Sequence, residues 1–238
     1  MSRKTKRKES NADAATESGS TGGRGSSKIL VAGVALVLLA VAGAGLLLSR
    51  TAERSPEAPA RAEDPLASEH SPWLGNPDAR VHIVEFLDPA CETCAIFYPA
   101  VKQLMAQHPG RLRVSLRHVP FHAGAEFAVR LLEASRNQDK YWQTLEALLA
   151  SQARWAPNHT VQPPLVMQAI SGVGLDLEKL RADMDSPEVI QRMQKDMRDA
   201  AAARVRATPE FFVNGRPLPS FGWDQLQSLV ADEVRKNY

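Results

Sequence analysis

The sequence predicts an α/β domain that carries a block of helices between its second and third strands and is preceded by one transmembrane helix. Three observations predict it. Val81 to Leu87 (VHIVEFL) is short and mostly apolar, as a strand buried on both faces of a sheet must be. Apolar residues then recur at helical spacing just after Ala90 and over most of the stretch from about 122 to 206. Ile29 to Leu48 is a run of twenty residues without a charge, long enough as a helix to span a hydrocarbon core of roughly 30 Å.

The N-terminal third reads as three segments. Residues 1–28 hold seven Lys or Arg against three acids, with Ser, Thr and Gly between them, and offer no apolar face to fold. This basic tail is expected to stay in the cytoplasm. Residues 29–48 form the transmembrane helix; a cleaved signal peptide is the rival, disfavoured by the length of the apolar run and by Leu46-Leu47-Leu48-Ser49, a poor cleavage site. The basic cluster before the span exceeds the charge just after it, which puts the rest of the chain outside the cytoplasm and leaves no need for a nucleic-acid role. Residues 49–72 contain Pro56, Pro59, Pro65 and Pro72 among Ala, Glu, Arg and Ser, and read as a tether with a reach of roughly 27 Å as a flexible coil. The folded domain is expected over 73–238.

The chain has two cysteines, Cys91 and Cys94, in one Cys-Glu-Thr-Cys motif. A framework of several disulfides is thereby excluded, and a structural zinc site lacks a second cysteine pair. His118 and His122 flank Pro120, which disfavours the regular helix that would present them together to a metal; His118 is expected to end a strand and His122 to start a loop. After Asp88-Pro89-Ala90, residues Phe97, Val101, Leu104 and Met105 follow at helical spacing, so Cys91 stands at a helix N-terminus. Free backbone N–H groups and the positive end of the dipole favour a thiolate there. Cys94 lies almost one turn on, within reach of a disulfide with Cys91.

Arg111 to Arg117 alternates strictly, with Leu112, Val114 and Leu116 on one face, and reads as a half-buried strand. The helical block follows, its last helix capped at Ser186-Pro187-Glu188. Glu210 to Val213 is a short strand, Asn214-Gly215 a hairpin turn, and Leu226, Leu229, Val230 and Val234 mark a closing helix.

This order of elements resembles the DsbA-like branch of the thioredoxin superfamily over about 73–238. The resemblance is carried by Gly75-Asn76-Pro77-Asp78-Ala79 ahead of the first strand, Glu85 six residues before Cys91, the Cys-X-X-Cys helix with Pro99 inside it, and Ala207-Thr208-Pro209. It implies a thioredoxin-like fold with an inserted helical subdomain at about 122–206. It further implies a cis bond before Pro209, a Thr208 backbone that pairs with an extended substrate, and a Glu85 that relays a proton to or from the resolving cysteine, although a salt-bridge role for Glu85 stays open.

The expected function is therefore thiol-disulfide exchange with exported proteins, Cys91 attacking and Cys94 resolving, without a dissociable cofactor and with a membrane redox partner. Disulfide formation is favoured over reduction; a copper-binding thiol chaperone is the alternative from another class. Glu92 and Thr93, between the cysteines, are the candidate redox-tuning residues. A carboxylate at Glu92 should offset the helix dipole, which predicts a Cys91 pKa only modestly below that of a free thiol and a weakly oxidising protein.

Overall fold

The computed structural model describes residues 64–238. The basic tail, the membrane span expected at 29–48 and the tether through residue 63 lie outside the described residues, and among the described residues no helix is long and apolar enough to cross a membrane.

Five strands form one sheet: β1 (Trp73–Gly75), β2 (Val81–Leu87), β3 (Leu112–His118), β4 (Glu210–Val213) and β5 (Arg216–Pro217), in the order β1-β3-β2-β4-β5. β2 runs parallel to β3 and antiparallel to β4, so it is central and hydrogen-bonded on both sides. The parallel crossover from β2 to β3 is made by α1 (Glu92–Gln107). Between β3 and β4 stand α2 (Ala125–Ser135), α3 (Tyr141–Ala150), the single turn α4 (Gln152–Trp155), α5 (Pro163–Ala169), α6 (Leu177–Met184) and α7 (Pro187–Ala202), and α8 (Trp223–Asn237) closes the chain. The expected cap at Ser186 is present, accepting from the Val189 N–H, and Asp176 caps α6 by accepting from the N–H groups of Glu178 and Lys179.

Alternation along the strands divides the sheet. Val81, Ile83 and Leu87 join Leu112, Val114, Leu116, Phe211 and Val213 in the larger core, packed with Val101 and Leu104 of α1 and with Leu226, Leu229 and Val230 of α8. Val84, Phe86 and Phe212 point the other way, onto Ala200 of α7, Val205 and Leu66.

That second face corrects two expectations. β3 is not half-buried: Ser115 and Arg117, on its polar side, are fully buried. Strand periodicity reports only that one side is polar, and here α7 covers that side with Asp196 and Asp199, both paired with the Arg117 guanidinium. The last part of the expected tether is not free either. The Pro65 and Ala67 carbonyls accept from Arg117 at 3.2 and 3.0 Å, His70 pairs with Asp196 at 2.8 Å, and Ser68 and Ser71 are buried. Polar residues dock here through carbonyls onto a buried cation, a mode that hydropathy does not register. β1, three residues long, has no counterpart among the expected strands. Gly75 ends it at φ 101°, where a Cβ would meet the Leu112 carbonyl oxygen at 2.3 Å.

Candidate active site

β2 delivers the chain from the middle of the sheet to the start of α1. Cys91 is the N-cap residue, with extended dihedrals (φ −83°, ψ 118°), and no side chain caps the helix, so the first N–H groups of α1 are left for the sulfur. Both cysteines are buried free thiols, Cys94 fully.

The two sulfurs differ in acidity. The Cys94 thiol donates to the Cys91 sulfur, and this contributes most to bringing Cys91 down to about 5. Burial opposes it, while the Thr208 side chain and the N–H groups of Cys94 and Thr93 add to the lowering. Cys94 moves the other way, well above the ordinary thiol range, first through burial and then through its bond to Cys91 and the charges of Cys91 and Glu85; only the Asp88 backbone N–H opposes.

Glu85 lies on β2 opposite Leu116 and Phe211. It is completely buried, and neither carboxylate oxygen has a hydrogen-bond partner in the described structure. Burial, then the Cys91 charge, raises it to about 8. A group that titrates near neutrality within electrostatic reach of both cysteines can hold or release a proton as the sulfurs exchange.

Thr208 faces Cys91, and its bond to Pro209 is cis, as expected. The Cys91 thiol donates to the Thr208 carbonyl at 3.2 Å. Thr208 Oγ1 is buried without a partner of its own, and its hydroxyl is free to turn to the sulfur once a thiolate forms.

The expectation of a nearly ordinary Cys91 is corrected. Glu92 is exposed on the first turn of α1, where solvent and salt screen its charge, and the groups that lower Cys91 most are the Cys94 thiol and the Thr208 side chain. Thr93 acts through its backbone N–H. His118 does end β3, while the loop begins at Val119 and His122 lies inside it. The two ring nitrogens of His118 meet Glu133 Oε1 at 3.0 Å and the Tyr141 hydroxyl at 2.8 Å, while His122 Nδ1 meets Asp88 Oδ2 at 2.7 Å.

Two residues at the site escaped the sequence reading. Asp88, taken only as part of a turn, has a fully buried carboxylate that accepts from the backbone of Ala90, Phe121 and His122. Gln152 reaches from α4 to donate to the Ala90 carbonyl at 2.6 Å. An Asp two residues before the N–H it binds is a local signal that could have been seen; nothing local marks Gln152.

Comparison with known proteins agrees with this geometry. A family model described as Thioredoxin matches residues 67–232. The Na(+)/H(+) antiporter NhaA of Herminiimonas arsenicoxydans is 34% identical over 169 residues, 71% of this chain but 26% of that protein, so the chain spans about a quarter of the antiporter's length. Disulfide bond formation protein D of Bacillus subtilis (strain 168) is 25% identical over 172 residues, 69% of this chain and 77% of that one. The solved structure of a thioredoxin-like oxidoreductase from Silicibacter pomeroyi DSS-3 superposes with a TM-score of 0.64 at 29% identity, covering 75% of this chain and 100% of that one.

Proposed function

Because the chain belongs to the thioredoxin family, we propose that it is a thiol-disulfide oxidoreductase that forms disulfide bonds in exported proteins, with Cys91 as nucleophile, Cys94 as resolving cysteine and Glu85 as proton carrier. The observation that carries this reading is the pairing of an acidified Cys91 with a Cys94 of raised pKa, next to a buried carboxyl that titrates at about 8.

The reaction follows from those acidities. In the oxidised protein a client thiolate attacks Cys91 Sγ; the Cys91–Cys94 bond breaks and Cys94 leaves with the electron pair. Cys94 holds a proton tightly, and Glu85, whose burial favours its protonated form, supplies it. A second client thiolate then attacks the client sulfur of the mixed disulfide and expels Cys91 as a thiolate, which its low pKa makes a good leaving group. The client has lost two electrons and the protein has gained them. No dissociable cofactor is needed, since the sulfur pair holds the electrons until a membrane redox partner withdraws them.

Stabilising the Cys91 thiolate stabilises the reduced protein, which makes the disulfide a stronger oxidant and supports formation over reduction. The Thr208 backbone would align an extended client beside Pro209, and exposed Ile96 and Phe121 offer apolar contact nearby. A single-pass anchor at 29–48, N-terminus inside, would hold the domain outside the inner membrane, close to its redox partner. The matched stretch in the antiporter likewise belongs to a membrane protein by name. A copper chaperone gains less support, because His118 and His122 are already engaged with Glu133, Tyr141 and Asp88.

The roles of the cysteines are tested by trapping. Cys94→Ala should accumulate thiol-reversible adducts with exported proteins on a non-reducing gel, and Cys91→Ala should not; equal adducts in both would reverse or remove the assignment. Alkylation of cells with a mass tag should find the wild-type pair oxidised, and a dithiol would make the protein a reductase.

A further inference from the structure

Asp88 and Ala90, in the turn before the nucleophile, are held by several polar contacts. The Asp88 carboxylate receives the Ala90 N–H at 2.8 Å through Oδ1, and the Phe121 N–H, the His122 N–H and His122 Nδ1 at 2.8, 2.9 and 2.7 Å through Oδ2. The Asp88 carbonyl accepts the Cys91 N–H at 3.0 Å. One residue before the sulfur, the Ala90 carbonyl accepts the Gln152 side-chain amide at 2.6 Å, with His159 Nδ1 at 3.4 Å. Gln152 and Asp88 are both buried, and the His122 and His159 rings stack at 4.7 Å over the same turn.

Holding the turn matters because the N-cap sulfur meets the Cys94 thiol, the Thr208 side chain and the N–H groups of Cys94 and Thr93 only while it points at them. Such bonds weaken steeply with angle, so a turn free to rock would lose them without any change in the helix. A glutamine amide suits this position, because it donates to a buried carbonyl and adds no charge beside a thiolate.

We propose that Asp88 and Gln152 are positioning residues for the reaction: Asp88 clamps the turn to the loop after β3, and Gln152 lets the inserted helices fix the direction in which Cys91 presents its sulfur. The helical insertion thereby sets the reactivity of the nucleophile as well as enlarging the domain. This rests on the reading of Cys91 as nucleophile and adds to it a dependence on Gln152, 62 positions from the carbonyl it holds.

The test is the pH dependence of iodoacetamide alkylation at Cys91 in the full-length reduced protein, with the modified residue identified by mass spectrometry. Wild type examines the nucleophile itself: modification at Cys94 instead, or a midpoint near that of a free thiol, would sink that reading whatever Gln152 does. Gln152→Ala should raise the Cys91 midpoint by roughly 0.5 to 1 unit, a 3- to 10-fold slower reaction below the midpoint, while the rate at the alkaline plateau stays as in wild type. Gln152→Glu keeps the volume, serves if the alanine variant folds poorly, and should give a shift at least as large, because a carboxylate both fails to donate and adds a like charge. Asp88→Asn removes a like charge, which by itself would lower the midpoint, so a rise in spite of it supports the clamp and a fall removes Asp88 from the proposal. Midpoints within about 0.2 unit of wild type in folded Gln152 variants, or an equal loss of rate at every pH, would overturn the proposal, since a merely structural residue does one or the other.

Discussion

Glu85 and Glu133 are both buried acids in the same domain, and the protein treats them in opposite ways. Glu133, on α2, meets His118 at 3.0 Å, Arg136 at 2.8 Å and Arg192 at 2.8 Å. Burial pushes it up, but the His118 hydrogen bond and charge and then Arg136 outweigh this and bring it down to about 2. Glu85 has no such partner, and the same burial carries it to about 8. Buried charge that is paired holds the fold together; buried charge left unpaired lowers stability and becomes available for proton transfer. Arg117 belongs to the first kind.

The largest effect expected from this contrast is at Arg117. Arg117→Ala would leave Asp196 and Asp199 facing each other beside the sheet, and should cost about 3 to 5 kcal/mol in urea unfolding. A loss under about 1 kcal/mol would mean that the cluster is not what fastens α7 and residues 64–72 to the sheet.

The two glutamates should then part by sign. Glu133 has a folded pKa below its unfolded one, so its stabilisation is present above about pH 4.5 and lost as pH falls towards 2. Glu133→Gln should lose about 3 kcal/mol at pH 7, and the difference from wild type should close in acid. Glu85 has a folded pKa above its unfolded one, so the penalty is absent below about pH 4.5, grows until about pH 8 and is constant beyond. Glu85→Gln should therefore gain about 3 kcal/mol at pH 7 in the reduced protein, with the gain vanishing in acid, while exchange with clients slows. Finding the two variants shifted in the same direction would undo the contrast between paired and unpaired acids.

The smallest effect is expected at Glu92. Glu92→His should move the Cys91 midpoint from about 5 by less than about 0.5 unit, because the side chain points into screened solvent. A larger shift, read by thiolate absorbance or by equilibration with glutathione, would restore Glu92 as a tuning residue and show that its rotamer in solution approaches the sulfur.

Much of the domain is legible in the chain because it is local. A run of seven mostly apolar residues can only be a strand or a piece of a buried helix, and the turn after it decides between them. Cys91 at a helix start and Cys94 one turn later follow from spacing alone. Thr208-Pro209 stands out only through the family resemblance, and its cis bond is as that resemblance implies. The polar face of β3 misleads because alternation shows where a residue points and not what covers it.

Most of the elements and the reactive thiol pair at one helix start are thus properties of neighbours in the chain, written in periods of 2.0 and 3.6 residues and a two-residue gap. The pairing of buried charges is not. Arg117 meets Asp196 across 79 positions, Gln152 meets Ala90 across 62, and Cys91 meets Thr208 across 117. Glu85 meets no hydrogen-bond partner among the described residues, and that makes it the acid that titrates near neutrality. Desolvation and pairing depend on distances through space, so the acidity of the same residue type is settled only when the chain has folded.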